Sequence, residues 1–271
     1  MIAGLTPVFC AHPLKDKGPF WYNGYVYGTR GFSLYAEGKL EDAINSYRKA
    51  LAEARRLDIP RQAGLYTFNI GRCWLDLERY DSALAYFAGS YAEFKACRDS
   101  AAAERTAGFI SLTFSELGNS DSAFAWYGRG AAGEAGKEGR ALWLFIHGRL
   151  IWARDHGKEA VTYFEEAYAI YKKQKTYNAM AHMCRLRAGV YYSFGDYQES
   201  KKLIDEALFL SDKSRLRPNR FKILLAACSI YNRLNDREAA RRFFERAKNC
   251  APAGGVSIPT FEVFIASNKG L

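Results

Sequence analysis

Small and bulky apolar residues recur along the chain at spacings that fit one face of an α-helix. A short residue is followed twelve positions later by a second short residue, then four positions on by a bulky apolar residue and three further by a small one. The last three positions stand at i, i+4 and i+7, which share one face at 3.6 residues per turn. The pattern therefore predicts pairs of helices, with the first residue on helix A and the other three on helix B.

The pattern occurs six times with identical internal spacing. Its second position falls at residues 43, 83, 123, 160, 200 and 240, so successive copies are 40, 40, 37, 40 and 40 residues apart. One helix pair cannot bury both of its faces, so neighbouring pairs must stack. The six copies are Gly31, Ala43, Tyr47, Ala50; Gly71, Ala83, Phe87, Ser90; Ser111, Ala123, Tyr127, Gly130; Gly148, Ala160, Phe164, Ala167; Ala188, Ser200, Ile204, Ala207; and Cys228, Ala240, Phe244, Ala247.

This arrangement resembles the signature of the tetratricopeptide repeat (TPR) family, and Gly38, Gly118 and Gly195 stand at the turn between helices A and B. The resemblance covers residues 25–250 and implies an all-α, right-handed α-solenoid of six helix-turn-helix repeats. The usual repeat has about 34 residues, so the six extra residues lengthen the helices by about one and a half turns. Similar long repeats occur in the kinesin-light-chain-like and bacterial quorum-receptor-like branches, which supply peptide-binding precedents. The predicted repeats are about 25–60, 61–100, 101–137, 138–176, 177–216 and 217–250.

A cluster of glycines follows the third helix B and coincides with the shortened 37-residue step. Each glycine in a helix costs about 1 kcal/mol relative to alanine, so this helix should end early. Two interpretations stay open here, a seam or hinge between repeats 1–3 and 4–6, and a plain long loop. The glycines are Gly128, Gly130, Gly133, Gly136 and Gly139.

The A helices of TPR arrays line a concave face, and fixed offsets from the first small residue identify the positions on it. In this chain those positions are aromatic and rich in arginine, with acids only at Asp76 and Glu116. Guanidinium groups pair with carboxylates and ring faces hold apolar side chains, so we predict a groove for a partner protein or an acidic or C-terminal-carboxylate peptide. Packing between adjacent A helices is the alternative for the aromatic members. The predicted groove residues are Phe68, Asn69, Arg72, Arg105, Leu112, Phe145, Arg149, Trp152, His182, Arg185, Tyr192, Lys222, Asn232 and Arg233.

The net charge is +10 and is concentrated near the C-terminus, where residues 213–248 contain eleven Lys or Arg and three acids. A basic end favours an acidic protein partner first and an anionic membrane surface second. Nucleic acid is third, because no helix-turn-helix, RNP or zinc pattern is present.

Catalytic and metal-binding patterns do not emerge from the sequence. The four histidines form no i, i+4 pair, the six cysteines form no C-x-x-C pair, and no nucleophile elbow, phosphate loop or dinucleotide fingerprint appears. We therefore predict a non-enzymatic protein with no cofactor and no metal.

Residues 1–24 are predicted to form a terminal segment. The apolar stretch ending near Cys10 is similar to a bacterial lipoprotein signal, although no Lys or Arg precedes it. Lipidation of Cys10 would place the protein in the bacterial cell envelope, whereas unpaired cysteines favour a reducing, cytoplasmic compartment. The aromatic run 19–27 is predicted to cap the first repeat, and no apolar run approaches the roughly 20 residues that span a bilayer.

Residues 251–271 are predicted to form an extended tail. Pro252 and the glycines at 254 and 255 break the helix, and residues 256–265 alternate apolar and polar side chains as a strand does. The tail either covers the last repeat or lies in the groove.

Three function classes follow from the sequence. The leading class is a protein-interaction scaffold that holds a peptide or partner protein in a basic, aromatic groove. The alternatives are a lipid-anchored envelope assembly factor, which an in-frame, Lys/Arg-led apolar extension upstream of Met1 would support, and a regulatory domain that senses a peptide.

Overall fold

The computed structural model describes residues 19–131, 137–155, 157–214, 218–251 and 259–267, and every regular element within these ranges is an α-helix. The predicted all-α helical-repeat fold is confirmed, and α1 to α12 alternate as helix A and helix B. Residues 1–18, which include Cys10, and residues 252–258 and 268–271 belong to the predicted terminal segments and lie outside the described residues. The helices are α1 (Pro19–Ala36), α2 (Leu40–Arg56), α3 (Pro60–Asp76), α4 (Tyr80–Ala96), α5 (Ser100–Glu116), α6 (Ser120–Ala131), α7 (Lys137–Asp155), α8 (Ala160–Lys173), α9 (Tyr177–Ser193), α10 (Tyr197–Lys213), α11 (Pro218–Arg233), α12 (Arg237–Lys248) and α13 (Phe261–Ser267).

The chain divides into two compact units. The N-terminal unit ends at Gly139 and contains α1 to α6, and the C-terminal unit begins at Arg140 and contains nearly all of α7 and the helices after it. The division falls at the last of the five clustered glycines, where the sequence left open a seam or a plain long loop. Helix α6 has 12 residues against 17 in α2, α4 and α10, in keeping with the early end expected of it.

Close contact between helix A and helix B explains the small residue that opens the repeat pattern. A β-carbon added to Gly71 of α3 would lie 2.8 Å from Cδ1 of Phe87 on α4, and one added to Gly148 of α7 would lie 2.7 Å from Cε1 of Phe164 on α8. Gly31 of α1 meets the ring of Tyr47 in the same way. The aromatic ring thus rests on bare helix backbone, which is the close packing that a protein interior requires.

The helix B positions of the pattern form the core of each unit. Most are fully enclosed, and Phe87 and Phe164 are both 0% exposed. Tyr127, near the end of α6, is only half-buried. The buried members are Ala43, Tyr47, Ala50, Ala83, Phe87, Ser90, Ala123, Gly130, Ala160, Phe164, Ala167, Ser200, Ile204, Ala207, Ala240, Phe244 and Ala247.

Each tight turn between helices uses one residue with positive φ. At the first, the Gly38 amide donates to the Tyr35 carbonyl at 3.0 Å and the Lys39 amide donates to the Leu34 carbonyl at 2.9 Å, as in a Schellman motif. Gly38, Gly118 and Gly195 hold this position as predicted, but five turns place other residues there. Those residues are Asp58, Glu78, Arg98, Lys175 and Asn235.

At the N-terminal end the first helix begins before residue 25, and at the C-terminal end the structure differs from the sequence prediction. Helix α1 already begins at Pro19, and the Tyr66 hydroxyl on α3 donates to the Gly24 carbonyl at 3.1 Å, so the aromatic run belongs to the first helix A. The extended conformation predicted for 256–265 is wrong over 261–265, which lies in helix α13. Phe261 and Phe264 are spaced i, i+3 and both pack against Phe244, so their burial favours a helix over a strand.

None of the helices in the described ranges is long and apolar enough to cross a membrane. The five described cysteines are unpaired thiols, and Cys73, Cys184 and Cys228 are buried. Burial raises the pKa of the Cys228 thiol to about 12, so this thiol stays protonated and unreactive at neutral pH.

Candidate functional site

Three A helices of the C-terminal unit bring basic side chains together around one histidine. His182 lies on α9, and its pKa is well below the usual value because of burial and then because of the charges of Arg185, Arg149 and Lys222. Arg185 stands three residues along the same helix, whereas Arg149 lies on α7 and Lys222 on α11. We call these four residues the His182 cluster. The sequence offsets predicted all four as groove residues, and the structure brings them to one place.

The imidazole of His182 is fixed on two sides. Its Nε2 lies 3.2 Å from Nη2 of Arg185, and its ring centroid lies 5.1 Å from that of Phe145 on α7. Phe145 is 3% exposed, so the imidazole packs against a buried aromatic ring. His182, Arg149, Arg185 and Lys222 are all half-buried, which leaves part of each side chain open to solvent.

A second contact ties α9 to α11 further along the same helices. The Arg233 side chain donates from Nε to the Tyr192 hydroxyl at 3.0 Å, and the Tyr192 ring packs edge-on against Tyr197. Tyr192 is 8% exposed whereas Arg233 is exposed, so the tyrosine fixes the base of an arginine whose guanidinium reaches solvent. Trp152 and Asn232, two other predicted groove residues, are half-buried.

In the N-terminal unit the groove prediction is wrong for Phe68. Phe68 is 2% exposed, and its ring lies 5.5 Å from that of Phe87 and 4.9 Å from that of Phe109 on α5. It is a core residue, because α4 and α5 cover the side of α3 that carries it. Leu112 of α5 is also buried, whereas Asn69 and Arg105 are half-buried.

Arg72 is buried and is held by other residues of the N-terminal unit. It donates from Nη2 to the Tyr35 hydroxyl at 2.7 Å, and that hydroxyl donates to Oδ2 of Asp76 at 2.7 Å. Burial, together with the charge of Asp76 and the hydrogen bond to it, raises the pKa of Tyr35. This chain of bonds occupies Arg72 structurally, so Arg72 is not the ligand-facing group that the sequence suggested.

The repeat pattern contains a signal for these tyrosine–arginine contacts. Tyr35 and Tyr192 both stand four residues after the first small residue of their repeat, and each bonds an arginine on helix A of the next repeat. Arg72, Tyr192 and Arg233 are among the predicted groove residues, whereas Tyr35, which stands at the same offset as Tyr192, is not. A search for a tyrosine on one helix A and an arginine on helix A of the next repeat would have found both pairs.

The basic end of the chain is partly neutralised by the last helix. Glu262 of α13 forms ion pairs with Arg237 and Arg241 of α12, the second at 3.0 Å. All three side chains are exposed, and such pairs contribute little to stability. They do place a negative charge beside two of the arginines that make the C-terminal end basic. The His182 cluster is a separate group on helices α7, α9 and α11.

In the described part of the chain, no group of three or more His, Cys, Asp or Glu side chains could hold a metal ion. The absence of catalytic chemistry stays a prediction from the sequence.

Comparison of the sequence with family models and with curated proteins gives no match. The structure, in contrast, is similar to solved helical-repeat proteins. The Rap conjugation gene regulator of the plasmid pLS20, in complex with the Phr* peptide, matches with a TM-score of 0.68 at 17% identity, over 95% of this chain and 67% of that one. NprR in complex with its cognate peptide NprX matches with a TM-score of 0.64 at 16% identity, over 94% of this chain and 73% of that one.

The apo form of RapI also matches, with a TM-score of 0.63 at 14% identity, over 87% of this chain and 85% of that one. At these identities the matches establish the fold. The chain is a helical-repeat protein with a tetratricopeptide-like fold, as its six spaced anchors predict.

Proposed function

We propose that this chain is a non-catalytic peptide-binding protein that holds an acidic peptide segment at the His182 cluster. The observation that carries the proposal is that Arg185 contacts His182 at 3.2 Å while Arg149 and Lys222, on the neighbouring A helices α7 and α11, act electrostatically on the same imidazole. Like charges gathered at one place repel each other, and a bound carboxylate relieves that repulsion. The cluster therefore favours an anionic ligand.

The surroundings of the cluster fit a peptide better than a small inorganic anion. The half-buried Trp152 supplies aromatic surface on α7, and Arg233 lies further along α11, where it bonds Tyr192 of α9. An extended peptide can place apolar side chains against rings and carboxylates against guanidinium groups at the same time. Binding of this kind needs several spaced contacts, which repeated helices provide.

The matched structures add support. Two of them, the Rap regulator with Phr* and NprR with NprX, hold peptides on a similar fold. The first of these proteins is a gene regulator, which favours the peptide-sensing class among our alternatives, so we propose that the bound peptide is a signal and that the chain has a regulatory role. Lipid anchoring at Cys10 stays a prediction from the sequence.

The experiment that tests the proposal is affinity selection from a random heptapeptide pool with free C-terminal carboxylates, followed by mass spectrometry. We expect enrichment of Asp- and Glu-containing peptides on the native chain. Joint substitution of Arg149→Glu and Arg185→Glu should abolish that enrichment, because it reverses two of the charges that attract the ligand.

The matched control is Arg55→Glu with Arg56→Glu, which reverses two exposed charges on helix B of the first repeat. This variant has the same net charge as the double variant at the cluster and should still capture the peptides. Equal capture by all three proteins would refute the proposed site.

A further inference from the structure

We infer that His182 is the selective element of this site, and that its neutral imidazole donates a hydrogen bond from Nδ1 to a carboxylate oxygen of the bound peptide. The inference rests on the proposed function. It adds the protonation state of His182 and the ligand atom that His182 recognises, a carboxylate oxygen. The cations supply attraction to any anion, whereas a single directional donor selects an oxygen acceptor at one position.

The tautomer of His182 follows from its contact with Arg185. An arginine guanidinium has only donors, so the nitrogen that lies 3.2 Å from Nη2 of Arg185 must accept. That nitrogen is Nε2, which therefore carries no proton. A neutral imidazole has one proton, so the proton resides on Nδ1.

The neutral form of His182 is favoured first by burial and then by three nearby cations. Arg149 acts from α7, Arg185 from α9 and Lys222 from α11, and all three are cations that oppose a fourth positive charge. Burial beside Phe145 acts in the same direction. His182 therefore serves as a donor without becoming an imidazolium.

The Nδ1–H group lacks a partner in the free protein. Nδ1 is buried and has no hydrogen-bond partner in the part of the chain that the structure describes. An enclosed donor without an acceptor is unfavourable, since it has lost water and gained nothing in exchange. A ligand oxygen that reaches this atom therefore removes an existing penalty in addition to adding a bond.

Access to Nδ1 requires a local movement, because this atom is buried although His182 as a residue is half-buried. Rotation about the Cβ–Cγ bond has a broad energy profile in histidine, so the ring can reorient when a ligand binds. The three cations around the ring then hold the rest of the carboxylate.

Two groups on a peptide supply the same chemistry, an Asp or Glu side chain and the C-terminal carboxylate. Synthetic versions of one selected peptide distinguish these sources. A C-terminally amidated version removes the terminal carboxylate, and versions with Asn for Asp and Gln for Glu remove the side-chain carboxylates. The version that loses affinity on the native chain but not on His182→Phe identifies the group that Nδ1 meets.

The first test is nuclear magnetic resonance of the full chain with nitrogen-15 histidine, using two-bond couplings that distinguish the tautomers. We expect His182 to be neutral with its proton on Nδ1, and the Nδ1–H resonance to shift when the free-acid heptapeptide pool is added. A proton on Nε2 in the free protein overturns the inference, and so does an Nδ1–H resonance that no free-acid peptide perturbs.

The second test compares His182→Phe with His147→Phe, which makes the same change in the same unit. His147 lies on α7 and stacks at 4.5 Å on Tyr163 of α8, outside the His182 cluster. We expect His182→Phe to weaken binding of the selected peptide roughly tenfold, the effect of losing one hydrogen bond to a charged group. His147→Phe should bind as the native chain does.

The two proposals fail in different ways. If charge reversal at Arg149 and Arg185 abolishes binding while His182→Phe binds normally, the peptide site stands and the role of Nδ1 is overturned. If charge reversal has no effect, the site itself is refuted.

Discussion

Gly71 and Phe87 are in direct contact across the third and fourth helices, and a β-carbon at Gly71 would lie 2.8 Å from Cδ1 of the phenylalanine ring. Real side chains do not approach so closely, and Phe87 is fully enclosed, so its ring cannot move aside freely. The same relationship joins Gly148 to Phe164. The packing of each repeat therefore depends on glycine, which has no β-carbon, as much as on the aromatic residue.

Gly71→Ala should lower the free energy of unfolding of the N-terminal unit by about 1–3 kcal/mol, because overpacking outweighs the gain in helix propensity. Gly128→Ala is the matched control. It lies in α6 of the same unit with nothing within 4 Å of the added carbon, so it should stabilise by roughly 0.5–1 kcal/mol. Urea denaturation followed by circular dichroism measures both. Equal effects of the two changes would show that the close contact does not govern the packing.

The tyrosine between Arg72 and Asp76 should be sensitive to loss of its hydroxyl. Tyr35→Phe leaves a buried guanidinium and a carboxylate each without one partner, and we expect it to cost about 1–3 kcal/mol. Tyr171→Phe is the contrasting change, because the buried Tyr171 hydroxyl has no hydrogen-bond partner among the described residues. That change should be neutral or slightly stabilising. Destabilisation by Tyr171→Phe comparable to that of Tyr35→Phe would contradict this assignment of roles.

Much of this architecture was predictable from sequence, because the anchors encode it directly. A glycine sixteen residues before an aromatic residue specifies which helix backbone meets which ring, as Gly31 and Tyr47 show. The turns were only partly predictable. Glycine at position 38 signals positive φ, but Glu78 and Arg98 adopt the same conformation with no such signal, and there the packing of the flanking helices fixes the turn.

The site was harder to predict, because an offset specifies the face of a helix and not what covers that face. Phe68, Phe145 and Arg185 all stand three residues before the first small residue of their repeat. The two phenylalanines are buried, and the arginine is half-buried beside His182. Covering residues such as Phe109 come from the next repeat, so their effect is visible only after the helices are assembled.

Acid should destabilise the C-terminal unit through His182. Because the pKa of His182 in the folded chain lies well below 6.5, the unfolded chain binds a proton that the folded chain does not in the window below pH 6.5. Stability due to this group is therefore present above pH 6.5 and is lost as the pH falls through that window, by up to about 1.4 kcal/mol per pH unit.

The measurement is urea denaturation at pH 7.5 and pH 5.5 for the native chain and for His182→Phe. Other groups titrate equally in both proteins, so the difference isolates His182. We expect the variant to lose less stability on acidification. Identical losses would show that His182 ionises normally in the folded chain.

Helix α13 should act as a cover for the last repeat. Phe261 and Phe264 pack on Phe244 and on Cys228, and Glu262 pairs with Arg237 and Arg241. Deletion of residues 251–271 exposes this apolar surface and should lower the midpoint of urea denaturation for the C-terminal unit. Peptide affinity should stay unchanged. A gain in peptide affinity on deletion would instead show that the tail occupies the groove.

The charge of Glu262 should matter much less than the apolar contacts of the same helix. Glu262→Gln removes exposed ion pairs and should cost less than about 1 kcal/mol. Phe264→Ala empties a buried position of a short terminal helix and should cost more, by up to about 3 kcal/mol. Urea denaturation of the two variants ranks the effects, and the reverse order would mean that α13 is held by its charge.

Photo-crosslinking of a selected acidic peptide tests directly whether the peptide binds at the His182 cluster. The peptide carries a benzophenone side chain, and mass spectrometry identifies the residues to which it becomes attached. We expect attachment on the A helices of the C-terminal unit, within 145–152 of α7, 182–192 of α9 and 222–233 of α11, and loss of attachment when Arg149 and Arg185 are both changed to Glu. Attachment confined to α8, α10 or α12, or to the N-terminal unit, would contradict it.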